Sequence, residues 1–368
     1  MQLYCCGTLY QLFNAINIKQ SIYPDKEADL LLLDSTDFSR NMEGIKQSKI
    51  FSHVFVAKGS WKRDRNFLNS PLHEKKIMSH ACDKMLGDSL INNNYDEYFM
   101  GAQTPFFKFI YYYICNFGSA PTTFLFEDGL YSYVLNFIED CNKDGFDHDY
   151  YGSKSIKKNL HGIYLYGDSS LYFGSKDILP ISIPRISQHD KLIIEKYRQV
   201  YGEKDIPRSK FIFLEEGMYQ DHLLNSDLSL LEEISSIIGK ENIVVKRHPR
   251  CTTDRFTSRG YKIWESQGYP LEVAMLNAGM FEKVLLSISS TALITAPLVF
   301  DMNVPSIQLL YMIPYGSAGP HVAIKSYKSF LKRLSSYLNK DEKHFFTPNS
   351  FIELKEIINY LVRKGRLQ

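Results

Sequence analysis

Short, almost uninterrupted apolar runs recur along this chain, and each is followed by a segment with helical periodicity. Two examples are 28–34 (ADLLLLD) and 210–214 (KFIFL). Runs without alternating polar residues are typical of strands that are buried on both faces of a parallel sheet. The helical segments between them supply the crossover connections that parallel strands need. This alternation predicts an α/β fold built from βαβ units.

The alternation occurs twice, which indicates two domains, and 368 residues exceed what one ordinary hydrophobic core supports. We predict an N-terminal Rossmann-like domain over 1–188 and a C-terminal one over 189–345, facing a central cleft, with a hinge near 187–190. The segment 346–368 has apolar residues at helical spacing and is predicted to pack back on the N-terminal domain. The main predicted strands lie at 2–6, 28–34, 51–57, 95–100 and 122–126, then at 210–214, 243–246, 283–287 and 306–309.

Composition and charge exclude several classes of function. The formal net charge of +2 is far from the strongly basic balance of a nucleic-acid-binding domain. The most apolar segment, 106–115, is too short to span a bilayer, and the first residues lack the features of a signal peptide. The six cysteines show no CxxC pair and no metal-ligand spacing. We therefore expect a cytoplasmic protein with reduced cysteines.

A cluster of cations follows the strand predicted at 243–246. The run IVVKRHPR places Lys246, Arg247, His248, Pro249 and Arg250 at the point where the strand ends. In open α/β sheets, ligands bind beyond the carboxyl ends of the strands, so three cations and an imidazole there predict an anion site. Pro249 restricts its own φ and favours an extended conformation at His248. A solvated basic turn is the alternative.

Hydroxyl side chains follow the strand predicted at 283–287. Ser287, Ser289, Ser290 and Thr291 precede a segment with helical character. Hydroxyls and free backbone N–H groups at the start of a helix bind phosphate well, because donors and helix dipole act together. The alternative is a run of capping residues, since Ser and Thr begin many helices.

An acidic pair with glycine ends the strand predicted at 122–126. Glu127 and Asp128 follow it directly, and Gly129 allows the backbone to turn sharply. A carboxylate presented at a strand end can act as a general base. The alternative is that these acids complement the dipole of a helix predicted at 130–138.

Two further acidic positions compete for functional roles. Glu215, Glu216 and Gly217 form a second acidic pair with glycine, after the strand predicted at 210–214, so Glu216 is an alternative base. Glu272 lies near the start of a helix predicted at 270–278, where it could hydrogen-bond a ribose diol or complement the helix dipole.

The order of these motifs resembles a known family. An acidic pair with Gly, then His-Pro, then Ser-Ser on a two-domain chain is similar to the bacterial sialyltransferases of the lipooligosaccharide sialyltransferase family, which are related to the bacterial polysialyltransferases. The segments that carry the resemblance are FEDG (126–129), KRHPR (246–250), YPLE (269–272), SISST (287–291) and the N-terminal CCGTLYQLFNAI. The resemblance implies a GT-B fold. It also implies inverting, metal-independent transfer of sialic acid from CMP-sialic acid to a terminal sugar of a bacterial surface glycan.

The resemblance also implies roles for individual residues. Asp128 would be the general base, and His248 would contact the departing phosphate of CMP. Ser289 and Ser290 would hold that phosphate, and Glu272 would hold the ribose. The remaining expected donor-binding residues are Gly7, Lys246, Arg247, Pro249, Arg250, Ser287 and Thr291, with Glu127, Gly129 and Glu216 as acceptor-side or secondary residues.

Further expectations concern cofactors and partners. No cofactor or metal is expected, because the DHD sequence at 147–149 matches a DxD metal motif but follows no predicted strand. The expected partners are a nucleotide-sugar donor and a glycan acceptor, without nucleic acid. Arg363, Lys364 and Arg366 could bring the protein to the inner face of an anionic membrane. A homodimer, a different nucleotide sugar and a non-catalytic nucleotide-sugar-binding or glycan-binding protein stay open.

Overall fold

The chain forms two compact units in a computed structural model. Unit 1 comprises Met1–Pro184 and Lys191–Gly202, and unit 2 comprises Arg185–Asp190 and Glu203–Gln368. The residues that the structure describes are 1–57, 94–101, 105–134, 136–137, 153–216, 227–248, 251, 253–266, 268–300, 302–313 and 325–364.

Unit 1 is built on a seven-stranded sheet with the order β3-β2-β1-β4-β5-β6-β7, and every described pairing in it is parallel. Every residue of β1 and β2 is buried, which explains why their sequences, QLYCC and ADLLLL, are apolar almost throughout. The strands are β1 Gln2–Cys6, β2 Ala28–Leu33, β3 Val54–Ala57, β4 Glu97–Met100, β5 Thr122–Phe126, β6 Leu160–Leu165 and β7 Leu179–Ser182.

The helices of unit 1 include one that returns from later in the sequence. Those in the described part of the chain are α1 Leu9–Ser21, α2 Ser39–Ser48, α3 Pro105–Phe117, α4 Ile156–Asn159 and α5 Lys191–Tyr201. In α5, the Tyr197 hydroxyl donates to the carbonyl of Phe13 on α1 at 3.0 Å. Helix α5 also packs closely against α2, because a Cβ on Gly44 of α2 would lie 2.0 Å from the carbonyl oxygen of Gln199 on α5. A larger residue at position 44 would therefore force the backbones of α2 and α5 apart.

Unit 2 is built on a six-stranded parallel sheet with the order β10-β9-β8-β11-β12-β13. Its strands are β8 Phe211–Leu214, β9 Ile243–Lys246, β10 Lys262–Ile263, β11 Val284–Ser287, β12 Ser306–Gln308 and β13 Phe345–Phe346. Its helices are α6 Asp227–Ile238, α7 Leu271–Ala274, α8 Ala292–Val299, α9 Lys325–Leu338 and α10 Phe351–Lys364. The core strands β8, β9 and β11 are buried at every position.

The predicted α/β class is confirmed, and several details differ from the sequence predictions. The chain enters unit 2 at Arg185–Asp190 but returns to unit 1 for α5, so the division is not a single boundary at 188. Helix α10 belongs to unit 2, where the Lys210 ammonium donates to the carbonyl of Leu361 at 3.3 Å. The helix predicted at 130–138 begins as a short 3-10 turn, Leu130–Tyr133.

Two general properties follow from the described residues. The described cysteines, which are Cys5, Cys6, Cys115 and Cys251, are unpaired and buried. Among the described helices, none combines the length and the apolar character needed to cross a bilayer.

Candidate functional site

Several described residues that the sequence analysis singled out in the C-terminal half follow strands that end at one edge of the unit 2 sheet. β9, β8 and β11 are adjacent, and their parallel pairing places their carboxyl ends together. Leu214 at the end of β8 lies opposite Lys246 at the end of β9. The polar residues that directly follow these strands therefore lie side by side.

The β9 end is held by Glu215, which is buried. Its Oε2 accepts a hydrogen bond from the backbone N–H of His248 at 3.1 Å. Its Oε1 accepts from Nη2 of Arg255 at 2.9 Å, and the same guanidinium donates to both oxygens of Asp227 at 2.7 and 2.9 Å. His248 itself is half-buried. The ion cluster of Glu215, Arg255 and Asp227 thus fixes the backbone from which the imidazole projects.

The charge of Arg255 is stabilised by this cluster. The Arg255 side chain is only 8% exposed, and burial alone would lower its pKa. The two acids that it contacts are fully buried. The hydrogen bonds and negative charges of Asp227 and Glu215 outweigh that effect and raise the pKa. The guanidinium therefore stays charged, and each buried acid has a counter-ion.

The β11 end is held by Glu216, which is also buried. Its Oε1 accepts from the Ser287 hydroxyl at 2.5 Å and from the Ser289 backbone N–H at 2.7 Å. Burial raises the pKa of Glu216, although these hydrogen bonds oppose the effect. We call residues 287–291 (SISST) the serine segment. Ser287 is buried beneath it, whereas Ser289 and Ser290 are half-exposed.

The serine segment leads directly into α8. Ser290 Oγ accepts from the backbone N–H of Ala292 at 3.4 Å, whereas Thr291, the N-cap residue, makes no side-chain capping bond. Of these two residues, only Ser290 therefore acts as a capping residue, and its hydrogen bond is long. The half-exposed hydroxyls of Ser289 and Ser290 lie at the positive end of a helix, which is an arrangement that binds phosphate.

Lys246 lies in the interior of unit 2. Its ammonium donates to Ser266 Oγ at 2.9 Å and to the carbonyl of Tyr269 at 3.3 Å, and it lies 5.7 Å from the centre of the Trp264 ring. Burial lowers the pKa of Lys246 to about 8, although the charge of Glu272 opposes the shift. Lys246 therefore supports the β9 end from within.

Glu272, the predicted ribose ligand, is buried as well. It belongs to α7, and its Oε1 accepts from the Thr295 hydroxyl on α8 at 3.1 Å. Burial raises the pKa of Glu272. The carboxyl group links two helices, and its role towards a ribose stays a prediction.

In unit 1, the acidic pair after β5 divides into one buried and one exposed residue. Glu127 accepts from the hydroxyls of Tyr10 at 2.6 Å and Tyr133 at 2.5 Å, and from the backbone N–H of Tyr166 at 3.1 Å. Asp128 is exposed. Glu127 therefore holds the strand end in place, and Asp128 is the carboxylate that solvent reaches.

Two glycines in unit 1 were also predicted as site residues. Gly129 has φ 99°, a conformation that favours glycine, and it begins the 3-10 turn after Asp128. Gly7 follows β1, donates its N–H to Gln11 Oε1 at 2.5 Å and accepts from the Thr36 hydroxyl at 2.7 Å. Both backbone polar groups of Gly7 thus have partners within unit 1, and donor binding by Gly7 stays a prediction.

Some predicted residues lie outside the described part of the chain. These are Pro249, Arg250, Gly217, the DHD sequence at 147–149 and Arg366. Arg363 is exposed near the end of α10. Within the described ranges, no group of three or more His, Cys, Asp or Glu residues is arranged to hold a metal ion.

No family model and no curated protein matches the chain. Among solved structures, the glycosyltransferase SnogD from Streptomyces nogalater has a TM-score of 0.53 at 10% identity, covering 99% of this chain and 94% of its own. A UDP-GlcNAc 2-epimerase from Neisseria meningitidis, bound to UDP-GlcNAc, has a TM-score of 0.47 at 14% identity, covering 99% and 100%. The E. coli heptosyltransferase WaaC with ADP has 0.44 at 12% identity, covering 99% and 100%.

The likeness to SnogD shows the fold alone. The two parallel sheets with flanking helices are those of the GT-B fold, as the sequence predicted. These comparisons do not confirm the resemblance to the lipooligosaccharide sialyltransferase family.

Proposed function

We propose that the protein is a glycosyltransferase that uses a nucleotide-sugar donor, and specifically an inverting sialyltransferase that uses CMP-sialic acid. The observation that carries the proposal is the phosphate-type site at the carboxyl ends of β9 and β11. There, a half-buried His248 has its backbone fixed by Glu215, and the half-exposed hydroxyls of Ser289 and Ser290 follow β11 at the same edge of the sheet. The GT-B fold of the chain is compatible with this activity.

The chemistry of sugar transfer fits such a site. A glycosyl donor reacts through an oxocarbenium-like transition state, so negative charge develops on the departing phosphate. Fixed donors aimed at that charge lower the barrier. In the proposed mechanism, the hydroxyls of Ser289 and Ser290 donate hydrogen bonds to the phosphate. A protonated His248 stabilises its charge or donates a proton to it.

Asp128 is proposed as the base that takes the proton of the acceptor hydroxyl. Its carboxylate is exposed, so an incoming sugar can reach it, whereas Glu127 beside it is enclosed by tyrosines. A single displacement with such a base inverts the anomeric configuration. No metal ion is needed in this proposal, because a protonated His248 and the hydroxyls of Ser289 and Ser290 stabilise the phosphate.

A donor screen tests the proposal. The protein is incubated with CMP-sialic acid, UDP-sugars and GDP-sugars, with a galactoside as acceptor. Transfer from CMP-sialic acid that is lost in Asp128→Asn and His248→Ala supports the sialyltransferase. The matched controls are Asp25→Asn and His189→Ala, which change exposed residues of the same types. Transfer only from a UDP- or GDP-sugar would favour another glycosyltransferase. Nucleotide-sugar binding without transfer would favour a binding protein.

The cellular setting is a separate proposal. A cytoplasmic enzyme acting on a lipid-linked glycan would benefit from contact with an anionic membrane face, and exposed Arg363 would contribute to it. Sedimentation with anionic vesicles, compared between the wild type and Arg363→Ala, measures this contact. A homodimer is a further proposal, which light scattering checks.

A further inference from the structure

Both loops of the candidate phosphate site are tied to a single dipeptide at the end of β8. Glu215 binds the backbone of His248 on one side, and Glu216 binds the serine segment on the other. Glu216 was the alternative candidate for the general base. Its surroundings in unit 2 indicate a different role.

The contacts of Ser287 constrain the protonation of Glu216. Ser287 Oγ lies 2.5 Å from Glu216 Oε1 and 3.0 Å from the carbonyl oxygen of Leu214. A hydroxyl has one hydrogen, so it cannot donate to both oxygens at once. A proton on Glu216 resolves the conflict, because the acid then donates to Ser287 while Ser287 donates to Leu214. Every one of these buried groups then has a partner, which buried polar groups require.

The surroundings of Glu216 agree with a neutral acid. Burial raises its pKa, and the negative charge of Asp227 acts in the same direction, while hydrogen bonds from the serine segment oppose the shift. Cationic Arg255 is engaged by Glu215 and Asp227. A neutral side chain beneath the serine segment also avoids repulsion of a bound phosphate.

We propose that Glu216 is a positioning residue that acts as a carboxylic acid: it fixes the serine segment for the phosphate of the donor and is not the general base. A base must be ionised and must reach the acceptor hydroxyl. Glu216 is only 7% exposed, and one of its oxygens already binds two groups of the serine segment. This inference rests on the proposed transfer reaction.

The test compares Glu216→Gln with Glu216→Ala. The carboxamide of Gln is neutral, and its oxygen in the place of Oε1 can accept from both the Ser289 N–H and the Ser287 hydroxyl, which then turns away from the carbonyl of Leu214. We expect Glu216→Gln to keep kcat/KM within about threefold of the wild type and to keep its affinity for CMP. In Glu216→Ala, the serine segment loses both bonds, so we expect CMP affinity to fall by roughly tenfold or more, which corresponds to about 1.4 kcal/mol. The loss should appear mainly as a raised KM for the donor.

Clear results would overturn the inference. Glu216→Gln that is as inactive as Asp128→Asn, with CMP binding intact, would make Glu216 the base. Glu216→Ala with wild-type KM and CMP affinity would remove the positioning role. The acidic limb of the pH profile of kcat/KM should be the same in Glu216→Gln and the wild type, because the base is elsewhere. Thermal unfolding of both variants establishes that they are folded.

One measurement needs no substrate. The infrared difference spectrum between the wild type and Glu216→Gln at neutral pH should contain the band of a protonated carboxyl group. Its absence would contradict the neutral acid even if no donor is found. Failure of the proposed function is visible separately, as a wild-type protein that neither binds CMP nor transfers from any donor.

Discussion

The ion cluster of Glu215, Arg255 and Asp227 gives a quantitative prediction for Arg255→Met. The guanidinium lies 2.9 Å from Glu215 and 2.7 Å from Asp227, and both carboxylates are fully buried. Met keeps most of the apolar contacts but removes the guanidinium that binds both buried carboxylates, so Glu215 keeps only Arg247 at 4.0 Å as a cationic neighbour. Removing one partner of a buried ion pair typically costs about 3–5 kcal/mol. We therefore expect the free energy of unfolding of unit 2 to fall by about this amount.

The chain contains a matched control four residues away. Arg259 pairs with Glu232, which lies on the same helix as Asp227, but the two side chains are 49% and 40% exposed. Exposed pairs contribute about 0–1 kcal/mol, because water screens them and two long side chains lose freedom. Arg259→Met should therefore change the stability by no more than about 1 kcal/mol.

Urea unfolding followed by tryptophan fluorescence measures both variants. The chain has two tryptophans, and Trp264 is buried in unit 2, so a Trp61→Phe background makes the signal specific to that unit. With a urea dependence of about 2 kcal/mol per molar, the midpoint should fall by roughly 2 M for Arg255→Met. Equal decreases of the urea midpoint in the two arginine variants would refute the reasoning, since burial would then make no difference to the contribution of an ion pair to stability.

Three further predictions concern buried groups. Burial lowers the pKa of Lys246 from an ordinary 10.5 to about 8, so the folded state releases this proton at a lower pH than the unfolded state does. Between those pH values, the wild type should therefore gain stability relative to Lys246→Met, by up to roughly 1.4 kcal/mol per pH unit in urea titrations. A stability difference between the two proteins that does not change with pH would contradict this. Gly44→Ala should destabilise unit 1 by about 1–3 kcal/mol through overpacking, whereas Gly7→Ala, where a Cβ meets only ordinary contacts, should shift the thermal midpoint much less. Tyr133→Phe should cost about 1.5–3 kcal/mol in urea unfolding, because it removes a donor to buried Glu127, and an unchanged midpoint would show that this bond contributes little.

The main strands could be predicted from the sequence because strands that are buried on both faces are written as nearly uninterrupted apolar runs. The predicted ranges 2–6, 122–126 and 243–246 agree with β1, β5 and β9 residue for residue. Each is an apolar run bounded by polar or turn residues. The candidate site was predictable for the same reason, since parallel strands bring their carboxyl ends to one edge and the motifs directly follow them.

Long-range packing could not be predicted. The helix α5 has the periodicity of any amphipathic helix, and nothing local specifies that it packs on unit 1 after the chain has entered unit 2. The partnership of Arg255 with Asp227 joins residues 28 apart, and no spacing rule identifies it. The tyrosines around Glu127 come from three separate segments. Such contacts depend on the folded geometry and leave no local pattern.

The two acidic pairs show how similar sequences acquire different environments through burial. FEDG and LEEG both follow a strand of a parallel sheet, and in each the first glutamate is buried and accepts several hydrogen bonds. The second acid differs, because Asp128 is exposed whereas Glu216 is enclosed by the serine segment. A buried carboxyl group gives up its proton less readily and offers no face to an incoming sugar. Exposure therefore favours Asp128 over Glu216 as the proposed base. The order of residues in the sequence alone does not distinguish the two.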